Sequence, residues 1–276
     1  MAGTFERIER EIVALGEAIA SLSAEFHSSY SSYLTSLGQA VRQQVILASY
    51  HICTQGYPDS FLRLSFSQRQ QLQKALRRIA EQAKEQLLSQ VQANLPPATP
   101  PETPTFGSLE PAPISATDSD YDVPPLQISN PEQLAEWQEN LEKAIAHTLQ
   151  ALSISTNRLL QQAGILPHQV PEAVLEAATK AEAAGESVAG PPNLLNLLME
   201  KENSQNSEGS TVTQIIAVQL RLTEIEFADA TVMAGRNQIR QLSSRLHTLR
   251  REYQKKQRER TIAEAEAAWR TSWFDD

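Results

Sequence analysis

Seven apolar residues, Phe5, Ile8, Ile12, Leu15, Ile19, Leu22 and Phe26, alternate spacings of three and four near the start of the chain. Only a helix gathers those positions onto one face, because 3.6 residues per turn returns i, i+3, i+4 and i+7 to the same side, whereas a strand scatters them over both. A stripe sustained that long must be covered by another helix, as in a coiled coil or a bundle. Few aromatics (6%) and 10 glycines in 276 residues agree with long helices and leave little of the turn chemistry that a β-sandwich or doubly wound sheet needs.

The stripe changes after Phe26. In "HSSYSSYLTS" the apolar set moves to Tyr30, Tyr33 and Leu37, and the serines are poor helix formers, which predicts a bend or break. The helix resumes through Val41, Val45, Ala48 and Ile52, and "QGYP" is expected to close it, with Gly56 as a left-handed cap and Pro58 beyond. Ser67 and Gln70 have capping-box spacing for a second helix carrying Leu72, Leu76, Ile79, Ala83, Leu87 and Val91 and ending at Pro96.

From there to Asn130 the chain is rich in Pro, Ser, Thr and acid. Such a segment cannot bury enough apolar surface to offset its ordering entropy, so a disordered acidic linker is expected. Asn130, Pro131 and Gln133 then provide an N-cap, a first-turn proline and a reciprocal capping side chain. Leu134, Trp137, Leu141, Ile145, Thr148, Leu152 and Leu159 follow at helical spacing until Gly164 and Pro167. A shorter helix is predicted from Pro171 to about Gly185, then a brief amphipathic turn in "PPNLLNLLMEK" and a flexible joint at "NSQNSEGS". In "LLNLL", helical spacing would put Leu194, Leu197 and Leu198 on one face, able to pack internally or to dock in a groove.

A last, longest helix is predicted from Thr211 and Gln214 to near the C-terminus, with Ile215, Val218, Leu222, Ile225, Val232, Ile239, Leu242, Leu246, Leu249 and Tyr253 in its seam. Asp229 and Arg236 occupy equivalent seam positions one heptad apart. There they either set register against a partner helix or face water on a stripe that has rotated.

Charge is distributed unevenly about the net value of −9. Glu85 to Glu142 holds ten acids and no Lys or Arg, whereas Arg236 to Arg260 holds nine Lys or Arg against two Glu. The cations Arg245, Arg250, Arg251, Lys255, Lys256, Arg258 and Arg260 suit acidic protein, the chain's own acids or phosphate. Leu246, Leu249 and Tyr253 run through the same stretch, and no base-reading motif accompanies it.

Chemistry finds little footing. One cysteine, Cys53, excludes an internal disulfide and a multi-thiolate zinc site. The five histidines lie on separate segments, none three or four residues from another His or from Cys. "DSDYD" begins like a calcium loop, but Val123 stands where the glycine belongs and Ser129 where the closing glutamate belongs; an acidic linear motif around Tyr121 or plain linker fits better. No phosphate loop, nucleophile elbow or zinc-protease signature occurs, so no catalytic residue, metal or cofactor is expected. No stretch is apolar enough for a signal core or membrane span, which points to the cytoplasm.

The end of the chain is the remaining oddity. Two of the three tryptophans, Trp269 and Trp273, share a helical face there, with Phe274 beside the second. They suit packing on another helix or anchoring in a partner's groove. Glu264, Glu266, Asp275 and Asp276 oppose anionic headgroups, so any membrane contact is at most peripheral.

The 26-residue segment "YPDSFLRLSFSQRQQLQKALRRIAEQ" resembles helical proteins of cyanobacteria. It contains no defined motif, and the resemblance implies a bacterial cytosolic origin but no activity. The expected protein is all-α, with long coiled-coil-like helices and bundle segments joined by the acidic Pro-rich linker. It divides into an N-terminal hairpin or bundle (1–95), the linker (96–130), a short-helix region (131–205) and the long helix with its aromatic tail (206–276). The expected function is a non-enzymatic scaffold, adaptor or assembly factor that binds other proteins, or a second copy of itself, through helical seams and the tail. The alternative is a regulatory protein that contacts nucleic acid through the basic stretch.

Overall fold

The computed structural model describes residues 2–93, 128–167, 191–201 and 211–273. The fold is all-α: among these residues are six α-helices and one two-stranded antiparallel sheet. They run α1 (Ala2–His51), α2 (Pro58–Arg63), α3 (Phe66–Ala93), α4 (Pro131–Gln162), β1 (Leu194–Lys201), β2 (Thr211–Val218), α5 (Leu222–Ala228) and α6 (Ala230–Thr271). The described residues form two compact units, one of 2–25, 128–137 and 244–273 and a larger one of 26–93, 138–167, 191–201 and 211–243. Helices α1, α4 and α6 each supply a stretch to both.

No break interrupts α1 at the serine-rich run. Tyr30, Tyr33, Leu34 and Leu37 are all buried there, and that packing outweighs weak local propensity. The Thr35 and Ser36 hydroxyls donate to the carbonyls of Ser31 and Ser32, four residues back, so their donors are met within the helix. Gly56 is not a left-handed cap either. The helix ends in a π turn, Ile52–Gly56, closed by Tyr57 N–H donating to the Ile52 carbonyl at 2.8 Å.

The start of α3 lies two residues earlier than predicted. Ser65 and Gln68 form the capping box, the Ser65 N–H donating to Gln68 Oε1 at 2.8 Å and the Gln68 N–H to Ser65 Oγ at 3.3 Å. Ser67 and Gln70 have the same spacing, so the motif alone selects neither pair. At α4, Asn130 Oδ1 accepts from the Glu132 N–H at 2.9 Å, as the N-cap reading requires. Gly164, at φ +73°, follows the last turn of that helix. Of the predicted linker only Ile128, Ser129 and Asn130 are described, and Ile128 is buried. The rest of the linker, the "DSDYD" acids, the helix predicted from Pro171 to Gly185 and the joint before Thr211 lie outside the described residues.

The largest correction concerns 194–229. "LLNLLMEK" is not a helical face and Thr211 does not begin a helix: the two segments pair as β1 and β2, from Leu194 opposite Val218 to Lys201 opposite Thr211. Six of the eight residues of "TVTQIIAV" are β-branched, which suits a pleated strand. Helix α5 follows, and α6 starts only at Ala230, where Asp229 Oδ1 accepts from the backbone N–H groups of Thr231 and Val232 at 2.8 and 3.2 Å.

A two-stranded hairpin is not stable alone, and side chains of the larger unit hold this one. Asn157 on α4 receives the Val218 N–H on Oδ1 and donates Nδ2–H to the Val218 carbonyl, both at 2.8 Å, as a third strand would. Tyr57 OH accepts from the Ile216 N–H at 3.0 Å, and Ser153 Oγ from the Leu220 N–H at 3.0 Å. Asn193, buried at φ 58°, accepts the Arg221 N–H on its side chain and the Gln219 N–H on its carbonyl, and donates to Gln44 Oε1.

Candidate functional site

In the smaller unit, α1 and α6 run antiparallel and the predicted basic stretch meets acids. Arg245 forks onto Glu25 at 2.5 and 3.2 Å. Arg250 pairs with Glu132 at the start of α4, and Gln254 Nε2 donates to the same carboxylate. Lys256 Nζ lies between Glu11 and Glu259 at 2.7 and 2.8 Å, and Arg260 lies 3.9 Å from Glu9 and 3.5 Å from Glu264. The hydrogen bond from Lys256 lowers the Glu11 pKa, that from Arg250 lowers Glu132, and Lys256 is raised in turn by its bonds to Glu11 and Glu259. Arg251, Lys255 and Arg258 are exposed. Four of the seven named cations therefore already face carboxylates, and three point into solvent.

Beyond Arg260 the helix loses its cover. Every described residue from Glu264 to Trp273 is exposed, Trp269 at 66% and Trp273 at 72%, with their rings in contact at a centroid distance of 5.8 Å. The third tryptophan, Trp137, is 2% exposed. Internal packing, one of the two readings of the tail, is not what this structure has. Phe274 lies outside the described residues.

Of the two seam polar residues, Asp229 caps α6 and is not paired with Arg236. Arg236 itself is 8% exposed in the larger unit and is surrounded by partners from three other helices. Its Nη1 donates to Glu142 Oε1 at 2.5 Å, its Nη2 to Glu142 Oε2 at 3.1 Å, and its Nε to Glu226 Oε1 at 2.6 Å. Nη2 also reaches Tyr33 OH at 2.7 Å, and the guanidinium lies 4.7 Å from the centre of the Tyr33 ring. Tyr33 OH donates to Glu226 Oε1 and Tyr30 OH to Glu142 Oε1, each at 2.6 Å.

Burial by itself would pull the Arg236 pKa down, but its hydrogen bonds and the charge of Glu142 outweigh it, and the group is held firmly protonated. Burial raises Tyr30 and Tyr33, and the adjoining carboxylates push them further the same way. Every member of the cluster is hydrogen-bonded to another. The arrangement ties α6 to α1, α4 and α5, and it leaves no activated nucleophile and no open ligand position. Among the described residues no group of three or more His, Cys, Asp or Glu is placed to hold a metal ion, and no helix is long and apolar enough to cross a membrane.

Compared with known proteins, the chain matches no protein-family model, no curated protein and no solved structure.

Proposed function

We propose that this protein is a non-enzymatic helical scaffold or adaptor, and that the exposed end of α6 anchors a protein partner through Trp269 and Trp273. The observation that carries the reading is the contrast among the tryptophans: Trp269 in the last turns of α6 and Trp273 in the turn just beyond it lie side by side, uncovered, while the third is buried. Large apolar rings left in water are unfavourable, and tryptophan is the residue most enriched where a few side chains dominate binding energy. Ile262, also exposed, stands seven residues before Trp269 on the same helical face and lengthens the stripe a partner groove would cover.

The acid matching of the basic stretch supports a protein partner over nucleic acid. A helix laid along phosphates would first have to surrender the ion pairs of Arg245, Arg250, Lys256 and Arg260. Cys53 is a free thiol, so a cytoplasmic setting fits the reading. The test is affinity capture with the full-length chain and with a Trp269→Ala/Trp273→Ala double variant. The scaffold reading expects a specific protein to be retained by the first and lost by the second. Equal capture by both, or salt-sensitive retention of arbitrary DNA or RNA, contradicts it.

A further inference from the structure

The larger unit contains a pocket of about 300 Å³ where the end of α1, the π turn, α2 and α3 meet. Its walls are Ile46, Phe61, Leu72 and Leu76, with Cys53 and Tyr50 beside them. Arg69 fixes Phe61 in place: its guanidinium lies 5.2 Å from the ring centre and donates to the carbonyls of Phe61 and Leu62 at 3.2 and 2.7 Å. The wall is thus already formed, and the volume lies at the lower end of the range for small-molecule sites.

Ser49, Thr54, Gln73 and Arg77 bring polar groups to the lining; the Thr54 hydroxyl donates to the Tyr50 carbonyl at 2.8 Å, and Ser49 and Arg77 stand out among the rest. Ser49 is 2% exposed, and its Oγ has no hydrogen-bond partner, although a helical serine can normally donate to the carbonyl four residues back. Native interiors seldom leave a hydroxyl in that state. Arg77 lines the mouth from α3, exposed, and makes no ion pair among the described residues. The π turn alongside is the kind of helix irregularity that recurs at functional sites.

We infer that this pocket binds a small amphipathic carboxylate, its apolar body between Phe61, Leu72 and Leu76, its charge met by Arg77 and a hydrogen bond supplied by Ser49. The combination selects against the alternatives. A purely apolar ligand leaves the Ser49 hydroxyl unsatisfied, and a cation would be repelled at the mouth. No reaction is implied: the Cys53 thiol is buried and its pKa is pushed up to about 11 by that burial, so it is a poor nucleophile.

Cys53, the single thiol of the chain, reports on occupancy. Decanoate is titrated against the full-length protein while the rate of Cys53 alkylation by N-ethylmaleimide is followed, with decanol and decylamine as neutral and cationic controls, and affinity is measured in parallel by calorimetry. The expected result is saturable protection by decanoate and little by either control. Arg77→Gln and Ser49→Ala should each weaken decanoate by about tenfold, and Arg77→Lys should retain most of it, as fits a charge-assisted hydrogen bond. Arg77 is exposed, so its substitution does not threaten the fold. No protection by decanoate, equal protection by decanol, or undiminished affinity in Arg77→Gln would overturn the assignment.

Discussion

Arg236 shows what a single residue can impose on such a chain. A guanidinium removed from water is tolerated only when its donors are met, and here Glu226, Glu142 and Tyr33 meet them from three other helices. Replacing Arg236 with Met should therefore destabilise the protein by about 3–5 kcal/mol, because Glu226 would be left buried and unpaired. Urea denaturation measures it. Arg236→Met/Glu226→Gln should recover part of the loss, whereas a loss below about 1 kcal/mol for the single variant would mean the cluster is not tightly held. The arginine could be seen in the sequence, standing in an apolar seam. Its partners could not: Glu142 lies 94 positions away and Glu226 ten, and nothing local marks either as a ligand of that charge.

At the scale of elements, legibility followed the strength of periodicity and the uniqueness of caps. Helix α4 was readable at its first turn because Asn130 and Pro131 offer one solution. The α3 start offered two overlapping ones, Ser65 with Gln68 and Ser67 with Gln70, and only contacts decide between them. Ser65→Ala should cost about 1 kcal/mol and Ser67→Ala only a few tenths. Thermal unfolding of the two variants checks this, and the reverse order would move the cap. The hairpin escaped for a different reason. Ile215, Val218, Leu222 and Ile225 satisfy helical spacing, while the continuous run Ile215, Ile216, Ala217, Val218 reads as strand or helix alike. Its true determinants are long-range hydrogen bonds from Asn157, Tyr57 and Ser153. The serine-rich part of α1 continues as helix because propensity is a weak prior against four buried side chains.

For the whole molecule, the uneven charge visible in the sequence becomes, in part, a set of internal pairs. Glu11 has a folded pKa below its ordinary 4.5, so its contribution is complete above 4.5 and is lost as pH falls through the folded value. Lys256 has a folded pKa above 10.5, so the same pair is complete below 10.5 and is lost as pH rises through the folded value. Lys256→Met should therefore be less stable than the parent at about pH 7, and the difference should vanish in acid and again in strong base, shrinking with added salt as exposed pairs do. A difference independent of pH would assign Lys256 a packing role instead.

What the pairs leave over is the uncovered end of α6, where the proposed docking of a partner is decided. Its most direct test titrates a captured partner into full-length protein in which Trp137 is changed to Phe, so that only Trp269 and Trp273 report fluorescence. The account predicts a saturable blue shift as both indoles leave water, with affinity falling at least about a hundredfold when both are changed to Ala, as for paired hot-spot residues. A partner that binds with no change in that emission, or binds the double-alanine chain equally well, would contradict it.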